Sequence, residues 1–151
     1  MKLYDSLTGE KRDFAPPGDE VKMYVCGVTP YSSAHVGHAM SYVYFDTLRR
    51  YLEFLGYQVK HVQNFTDIDD KIITAAGIQG TSPVMLVEEL VEEYLMDMAN
   101  LNVQPAHIYP RVTDEIQKII EMIEGLIEKG FAYESEGDVY YRVTKFSDYG
   151  K

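Results

Sequence analysis

The sequence predicts an α/β fold built around a parallel sheet, and three observations support this prediction. An apolar segment at 21–26 precedes a loop at 27–33 that is rich in helix and strand breakers. A stretch of helical periodicity at 36–55 follows and ends at Gly56, and a second strand-like stretch covers 57–65. A strand, loop, helix and strand in about 45 residues form a βαβ unit, whose two strands run parallel.

The apolar pattern also predicts which faces of these elements are buried. The segment 21–26 alternates apolar and polar residues at first and then becomes fully apolar. Such a run favours a strand that is buried on both faces, as strands of a parallel sheet are when helices cover each side. The residues on the inward side of the helix are predicted to be Val43, Phe45, Leu48, Leu52 and Leu55.

Short elements lie on either side of this βαβ unit. Residues 2–14 contain two strand-like stretches joined by a turn at Gly9, which predicts a hairpin. Residues 67–76 are predicted to form a short helix that stops at Gly77.

Two longer helices and a second hairpin complete the predicted elements. Ser82, followed by a proline, is predicted to cap a helix that runs to about Leu101. Thr113 is predicted to cap a helix at 114–129, which carries a stripe of isoleucine and leucine. The segment 131–143 has the pattern of a β-hairpin.

The composition is typical of a soluble globular protein. Hydrophobic residues make up 46% of the 151 positions and charged residues 25%. No apolar run approaches the roughly 20 residues that a membrane span needs, so we expect a cytoplasmic protein with no membrane partner. The single cysteine, Cys26, excludes an internal disulfide.

The negative charge is concentrated in the second half of the chain. The formal net charge is −10, which argues against broad, nonspecific binding of nucleic acid. Residues 1–71 carry eight basic and ten acidic side chains, whereas residues 72–151 carry six and fourteen. An anionic substrate would therefore bind to the first half of the chain.

The tetrapeptide His35-Val36-Gly37-His38 lies where a buried strand gives way to a helix. A helix N-terminus attracts anions, and Gly37 would let a nucleotide approach the backbone closely. Histidines three residues apart share one face and can donate hydrogen bonds to phosphate. Two alternatives remain: the histidines only cap the helix, or they bind zinc together with Cys26. The zinc alternative is weaker because no further ligand is close in sequence.

This tetrapeptide resembles the HIGH signature of class I aminoacyl-tRNA synthetases, and the surrounding sequence resembles the cysteinyl member in particular. The matching blocks in addition to the tetrapeptide are residues 24–27, 45–52 and 62–73, with a weaker match as far as 137–140. The resemblance implies a Rossmann-type parallel sheet in which residues 1–130 form the N-terminal half of the catalytic domain. It also implies that residues 131–151 begin a connecting insertion that is cut short.

The resemblance further implies the reaction and the residues that take part in it. Cysteine would be activated by ATP to cysteinyl-adenylate and then transferred to tRNA(Cys), by a protein that is monomeric. His35 and His38 would be catalytic, and Thr29 and Gly37 would join them in binding ATP. Gly27 and Thr66 would contact the substrate cysteine.

Cys26 gains a functional role only through this resemblance. A single buried cysteine usually packs as a small hydrophobic residue. In the cysteinyl family the matching cysteine is one of four zinc ligands, and the zinc binds the substrate thiolate, which selects cysteine over serine. The family's other ligands lie beyond residue 151, so we predict no bound metal in this chain alone.

Other charged residues have simpler explanations. Asp67, Asp69 and Asp70 resemble a cation site, but carboxylates at the start of a helix are more often explained by the helix dipole. Arg49 and Arg50 could bind phosphate, but arginines on an amphipathic helix are more often solvated or salt-bridged.

Two features of the sequence leave alternative functions open. Val28 stands where family members commonly have proline, and Cys-Gly-Val-Thr-Pro-Tyr also resembles ligases that attach cysteine to an amino sugar in mycothiol synthesis. The sequence 71–73 favours the synthetase. The 151 residues include neither the family's KMSKS loop nor an anticodon-binding region. The alternative of a different class is therefore an inactive paralogue or fragment that only binds nucleotide.

Overall fold

The computed structural model describes residues 1–16 and 18–150, which divide into two compact units. The central unit is formed by residues 16–114, and the terminal unit by residues 1–15 together with those from 115 on. The elements in chain order are β1 (Lys2–Asp5), β2 (Glu10–Asp13), β3 (Glu20–Val28), α1 (Val36–Phe54), β4 (Gln58–Phe65), α2 (Asp70–Gln79), α3 (Pro83–Asn100), a 3-10 helix (Val112–Glu115), α4 (Ile116–Glu128), β5 (Ala132–Ser135), β6 (Asp138–Tyr141) and a second 3-10 helix (Val143–Lys145). Among the described residues, no helix has both the length and the apolar character needed to cross a membrane.

The predicted βαβ unit is confirmed in the central unit. β3 and β4 pair in parallel, in register from Glu20 opposite Gln58, and α1 connects them. Isolated parallel bridges join β4 to Ile108 and Arg111, so a third segment runs alongside the sheet. The predicted α/β class with a Rossmann-type parallel sheet is therefore correct.

Side chains from one face of the sheet and from three helices form the core of the central unit. Its buried members are Val25, Val28, Tyr42, Phe65, Ile72, Val87, Val91, Tyr94 and Met98. The ring of Tyr94 meets the rings of Tyr42 and Phe65 edge to face, with centroids 5.4 and 5.7 Å apart. Tyr94 therefore joins α1, α3 and the sheet through contacts that are favourable for aromatic pairs.

The prediction that β3 is buried on both faces is wrong. Val21 and Val25 are buried, but Tyr24 is 65% exposed and Cys26 is exposed as well. Successive side chains of a strand point to opposite faces, and the buried core of the described residues lies on the face of Val25. The end of β3 therefore has apolar residues on both faces, but only the side chains on one face are buried.

The predicted inward side of α1 is only partly correct. Leu52 is buried as expected, but Val43 and Leu55 are 40% and 45% exposed. Asp46 and Arg49 take inward positions instead, each with only 8% of its surface exposed. These two charged side chains hydrogen-bond to the backbone of the loop that follows α3, which explains their burial.

The two shorter helix predictions need correction at their ends. α2 continues through Gly77 and ends at Gly80, whose φ of +70° is the left-handed conformation that terminates helices. Thr113 does not cap α4, because it lies in the first 3-10 helix and its hydroxyl donates to Asp67. α4 starts at Ile116 without a side-chain cap. α3 has the predicted cap, since Ser82 accepts the N–H of Met85.

Both predicted hairpins are present in the terminal unit. β1 pairs antiparallel with β2, and β5 pairs antiparallel with β6. Glu136 and Gly137 form the second turn with φ values of +55° and +89°, the positive values that tight hairpin turns require. The division of the chain at residue 130 into a catalytic half and a connecting insertion stays a prediction.

Candidate functional site

A bulge interrupts the pairing of β3 with β4 at the end of the two strands. Val25 lies opposite Gln63 and Val28 opposite Phe65, so two residues of β3 occupy the space opposite one residue of β4. The two are Cys26 and Gly27, and the single residue is Asn64. Bulges of this kind redirect side chains and are common beside functional sites.

Gly27 lies so close to Asn64 that no side chain can replace its hydrogen. A Cβ built on Gly27 would be 1.5 Å from the backbone oxygen of Asn64. The Gly27 N–H donates to the side-chain oxygen of Asn64 at 2.9 Å. The glycine at this position therefore makes the close approach of the two strands possible.

Asn64 also contacts Thr66, the second residue expected to bind substrate. Its amide nitrogen donates to the Thr66 hydroxyl oxygen at 3.4 Å. The backbone N–H of Thr66 donates to the carbonyl of Val28 at 3.0 Å, which anchors the residue beyond the end of β4. Gly27 and Thr66 are thus brought together through Asn64, which the sequence analysis did not identify. No local signal in the sequence marks Asn64, because its contact with Gly27 forms only when β3 and β4 pair.

Cys26 presents its thiol away from the core. The residue is exposed and unpaired, and its carbonyl accepts a hydrogen bond from the Tyr42 hydroxyl at 3.1 Å. Within residues 1–16 and 18–150, no three His, Cys, Asp or Glu side chains come together as metal ligands. One thiol does not make the four-ligand site that zinc requires, so these residues do not by themselves fit a zinc ion.

His35 and His38 form a reciprocal cap at the start of α1. The His35 ring accepts the Gly37 N–H through Nδ1 at 3.1 Å, and the His38 ring accepts the His35 N–H through Nδ1 at 3.2 Å. The two rings stack with centroids 3.9 Å apart. The alternative that the histidines cap the helix is thus correct. Because the cap uses Nδ1 of each ring, the Nε2 atoms take no part in it.

The cap fixes which ring nitrogen carries the proton. A neutral histidine that accepts through Nδ1 has its hydrogen on Nε2. Burial of the half-buried His38 lowers its pKa, and the neighbouring His35 lowers it further. Near neutral pH, His38 therefore presents an Nε2–H donor from an uncharged ring.

The backbone N–H of Gly37, which is predicted to bind ATP, already donates to the His35 ring. A Cβ added at Gly37 would lie 2.9 Å from the His35 ring. A phosphate can reach the Gly37 N–H only if the His35 ring moves aside. The role of Gly37 in binding ATP stays a prediction.

Thr29 and His38 line the same small cleft at the end of β3. Pro30, Ala34 and Tyr94 are among the other residues that form its walls. Its free volume of about 10 Å³ is room for a single water molecule. A cleft of this size is too small to enclose a nucleotide.

Two of the three aspartates after β4, Asp67 and Asp69, accept hydrogen bonds within the protein. Asp69 accepts the N–H of Lys71 and caps α2. Asp67 accepts both the backbone N–H and the hydroxyl of Thr113. Asp70 lies in the first turn of α2, where its charge is favourable to the helix dipole. The helix-dipole interpretation therefore suits Asp69 and Asp70, but not Asp67, which precedes α2 and is held by Thr113.

Arg49 and Arg50 are engaged within the protein. Arg49 pairs with Glu53 at 2.9 Å, and Arg50 pairs with Asp46 at 2.6 Å. Each arginine also donates to a backbone carbonyl in the loop after α3. The salt-bridged interpretation of these residues is therefore confirmed.

Comparison with known proteins gives concordant results. Residues 15–151 match the family model described as the class I (C) tRNA synthetase catalytic domain. Curated proteins named cysteine–tRNA ligase are 57% identical in Dehalococcoides mccartyi and 54% identical in Carboxydothermus hydrogenoformans and Methanococcus maripaludis. Each alignment covers 100% of this chain and 32–33% of the relative, so the chain spans about a third of their length.

Solved structures share the fold at much lower identity. A methionyl-tRNA synthetase from Mycobacterium tuberculosis in complex with methionyl-adenylate matches with a TM-score of 0.67 and 22% identity. That match covers 74% of this chain and 23% of the other. A second structure of the M. tuberculosis enzyme, also bound to methionyl-adenylate, has a TM-score of 0.65 and 18% identity, over 82% and 30% of the two chains.

Proposed function

Because this chain belongs to the class I cysteinyl-tRNA synthetase catalytic-domain family, we propose that it carries the part of a cysteine–tRNA ligase that binds ATP and activates cysteine. The proposal covers the substrates cysteine and ATP and the acceptor tRNA(Cys). A monomeric state and a cytoplasmic location belong to the same proposal.

The activation step is a nucleotidyl transfer. A carboxylate oxygen of cysteine attacks the α-phosphorus of ATP, the bond from that phosphorus to the bridging oxygen breaks, and pyrophosphate leaves with the electron pair. The product is cysteinyl-adenylate. In the second step a hydroxyl at the tRNA 3′ end attacks the carbonyl carbon, and AMP leaves. Negative charge grows on the phosphate oxygens in the first step, and hydrogen-bond donors fixed around them accelerate it.

The observation that carries this proposal is the paired histidine cap. Both Nδ1 atoms accept backbone N–H groups, which holds the two rings in a stack at the positive end of α1. The Nε2–H groups are then available as donors for phosphate oxygens. Thr29 lines the same cleft as His38 and would contact the nucleotide with them.

The cysteine would bind at the bulge between β3 and β4. Gly27 and Thr66 are assigned to this site because one Asn64 side chain holds both: its oxygen accepts the Gly27 N–H and its nitrogen donates to the Thr66 hydroxyl. Sites at the carboxyl end of parallel strands are the usual ligand positions in open α/β sheets. The role of Cys26 as one of four zinc ligands stays a prediction, and no step above is assigned to a metal.

The amino-sugar acceptor is not favoured. The curated relatives at 54–57% identity are named cysteine–tRNA ligase, and they match all of this chain, including the region around Val28. Both acceptors, tRNA and an amino sugar, would receive cysteine from the same cysteinyl-adenylate. The first test of the proposal is therefore whether residues 1–151 bind that adenylate.

The test is calorimetric titration of this chain with a non-hydrolysable cysteinyl-adenylate analogue. Two variants separate phosphate binding from helix capping. His35→Asn and His38→Gln keep side-chain acceptors that suit the cap positions but lack the ring Nε2–H. We expect each variant to fold normally and to bind the analogue about tenfold more weakly, the effect of one lost hydrogen bond to a charged group.

A matched control removes a different cap of the same unit. Ser82→Ala deletes the cap of α3 and should lower stability while leaving affinity for the analogue unchanged. Unchanged affinity in both histidine variants would mean that the phosphates bind elsewhere. No binding of the analogue by the unmodified chain would overturn the proposed function.

A further inference from the structure

We propose that Asn64 is a positioning residue that sets the geometry of the cysteine site by holding Gly27 and Thr66 at once. The inference rests on the proposed function, because it gives those two residues their role. Asn64 has no assigned role in that proposal, and it is the one described side chain that hydrogen-bonds to both.

The position of Asn64 follows from the bulge. Asn64 alone lies opposite the two bulged residues of β3, close to the point where both strands end, and its side chain reaches Gly27 and Thr66. On one side its oxygen accepts the Gly27 N–H at 2.9 Å. On the other side its nitrogen is 3.4 Å from the Thr66 hydroxyl oxygen.

The chemistry of the amide fixes the direction of both hydrogen bonds. The oxygen of an amide only accepts, and its nitrogen only donates. With the oxygen committed to Gly27, the nitrogen must donate to Thr66. The Thr66 hydroxyl then has its hydrogen and one lone pair left for a ligand. A carboxylate in the same position would accept from Gly27 equally well, but it would also draw the hydroxyl hydrogen of Thr66 toward itself.

Asn64→Asp is therefore the informative variant, because it is nearly identical in shape and preserves the contact with Gly27. We expect it to bind the cysteinyl-adenylate analogue about tenfold more weakly and to bind AMP with unchanged affinity. AMP serves as the nucleotide probe because it lacks the aminoacyl group. Gln58→Glu makes the same chemical change at the exposed start of the same strand, and both affinities should stay at the wild-type value.

A double-mutant cycle shows whether Asn64 acts through Thr66. Thr66→Val removes the hydroxyl with little change of shape, and Thr66→Ser retains it. We expect Asn64→Asp to have no further effect on analogue affinity in the Thr66→Val background and its full effect in the Thr66→Ser background. Additive losses in the Thr66→Val background, or an equal loss of AMP affinity, would overturn the inference.

The Gly27 amide proton supplies a measurement that needs no ligand. In hydrogen exchange followed by NMR, we expect its protection to persist in Asn64→Asp and to fall about tenfold in Asn64→Ala. Equal protection in all three proteins would overturn the inference while leaving the proposed function intact. Absence of analogue binding by the wild-type chain would overturn the proposed function, and the role of Asn64 in the cysteine site with it.

Discussion

The rings of His35 and His38 lie 3.9 Å apart between centroids; the His35 ring accepts the Gly37 N–H, and the His38 ring accepts the N–H of the cap residue His35. The same two residues that are proposed to meet ATP therefore also begin the helix. Stability and ligand affinity respond differently to substitutions at these positions, because the cap uses Nδ1 and the ligand would use Nε2.

His35→Ala should destabilise the protein, whereas His35→Asn should not. Alanine removes the acceptor for the Gly37 N–H, and loss of an N-cap costs about 1 kcal/mol. Asparagine is among the best N-cap residues and replaces the acceptor. Urea denaturation followed by circular dichroism measures both. Equal stability of the two variants would show that the ring does not act as a cap.

Gly27→Ala should destabilise the strand pair by at least about 2 kcal/mol, as expected for overpacking against a backbone that cannot easily shift. The added carbon would be 1.5 Å from the Asn64 carbonyl oxygen. Gly77→Ala is the matched control, because Gly77 lies inside α2 with no atom within 4 Å of an added Cβ. That change should raise stability by about 0.5–1 kcal/mol. Denaturant midpoints for the two variants must therefore shift in opposite directions.

Asp46→Ala should cost about 2–3 kcal/mol, because it removes a buried acceptor that has two partners. Asp46 accepts the Gln104 N–H at 3.0 Å and pairs with Arg50 at 2.6 Å. Lys118→Ala breaks an exposed ion pair with Glu115 on the surface of the terminal unit and should have no measurable effect. Chemical denaturation of both variants tests the difference. If both variants lose similar amounts of unfolding free energy, the burial of Asp46 does not contribute to stability.

Stability should fall as the pH drops below about 6.5, the ordinary histidine value. Burial lowers the pKa of His61, and both ring nitrogens of His61 lack hydrogen-bond partners. Arg49 and His107 lower the pKa further, while Asp46 opposes them. The unfolded chain therefore binds a proton that the folded chain does not. This contribution to stability is complete above pH 6.5 and is lost as the pH falls toward the folded pKa.

His61→Leu should flatten this pH dependence, with a change of at most about 1.4 kcal/mol per pH unit for one proton. Leucine also removes the two unpartnered polar atoms, so stability at pH 7 should not decrease greatly. Because the pKa of His38 is lowered too, some dependence should remain until His38→Gln is added. Thermal denaturation between pH 5 and pH 8 is the measurement. If neither substitution changes the slope of stability against pH, the pH dependence does not come from His61 and His38.

Local signals predicted the central βαβ unit well. The sequence predicts α1 from 36 to 55, and the helix spans Val36–Phe54; α3 begins, as predicted, after the cap at Ser82. These elements carry their own start signals, such as a side-chain cap or a first-turn proline, so neighbouring residues alone determine where they begin. The histidine tetrapeptide is recognisable for the same reason, because its residues are adjacent in the chain.

Features that depend on contacts between distant residues could not be predicted. Thr113 has the composition of a helix cap, but its hydroxyl donates to Asp67, which lies 46 residues away. Asp46 is buried because the backbone of Gln104 reaches it from 58 residues away. Asn64 was missed because its contact with Gly27 exists only after the strands pair in their bulged register.

The close approach of Gly27 to Asn64 also limits how this sequence can evolve. The Asn64 carbonyl oxygen occupies the space that a Cβ at position 27 would need. Any other residue at position 27 would therefore clash with backbone, and a second substitution of a side chain could not relieve that clash. A lineage can therefore change this residue only if the path of β4 changes in the same step. Substitution of Gly27 without loss of stability therefore requires compensating changes in both β3 and β4.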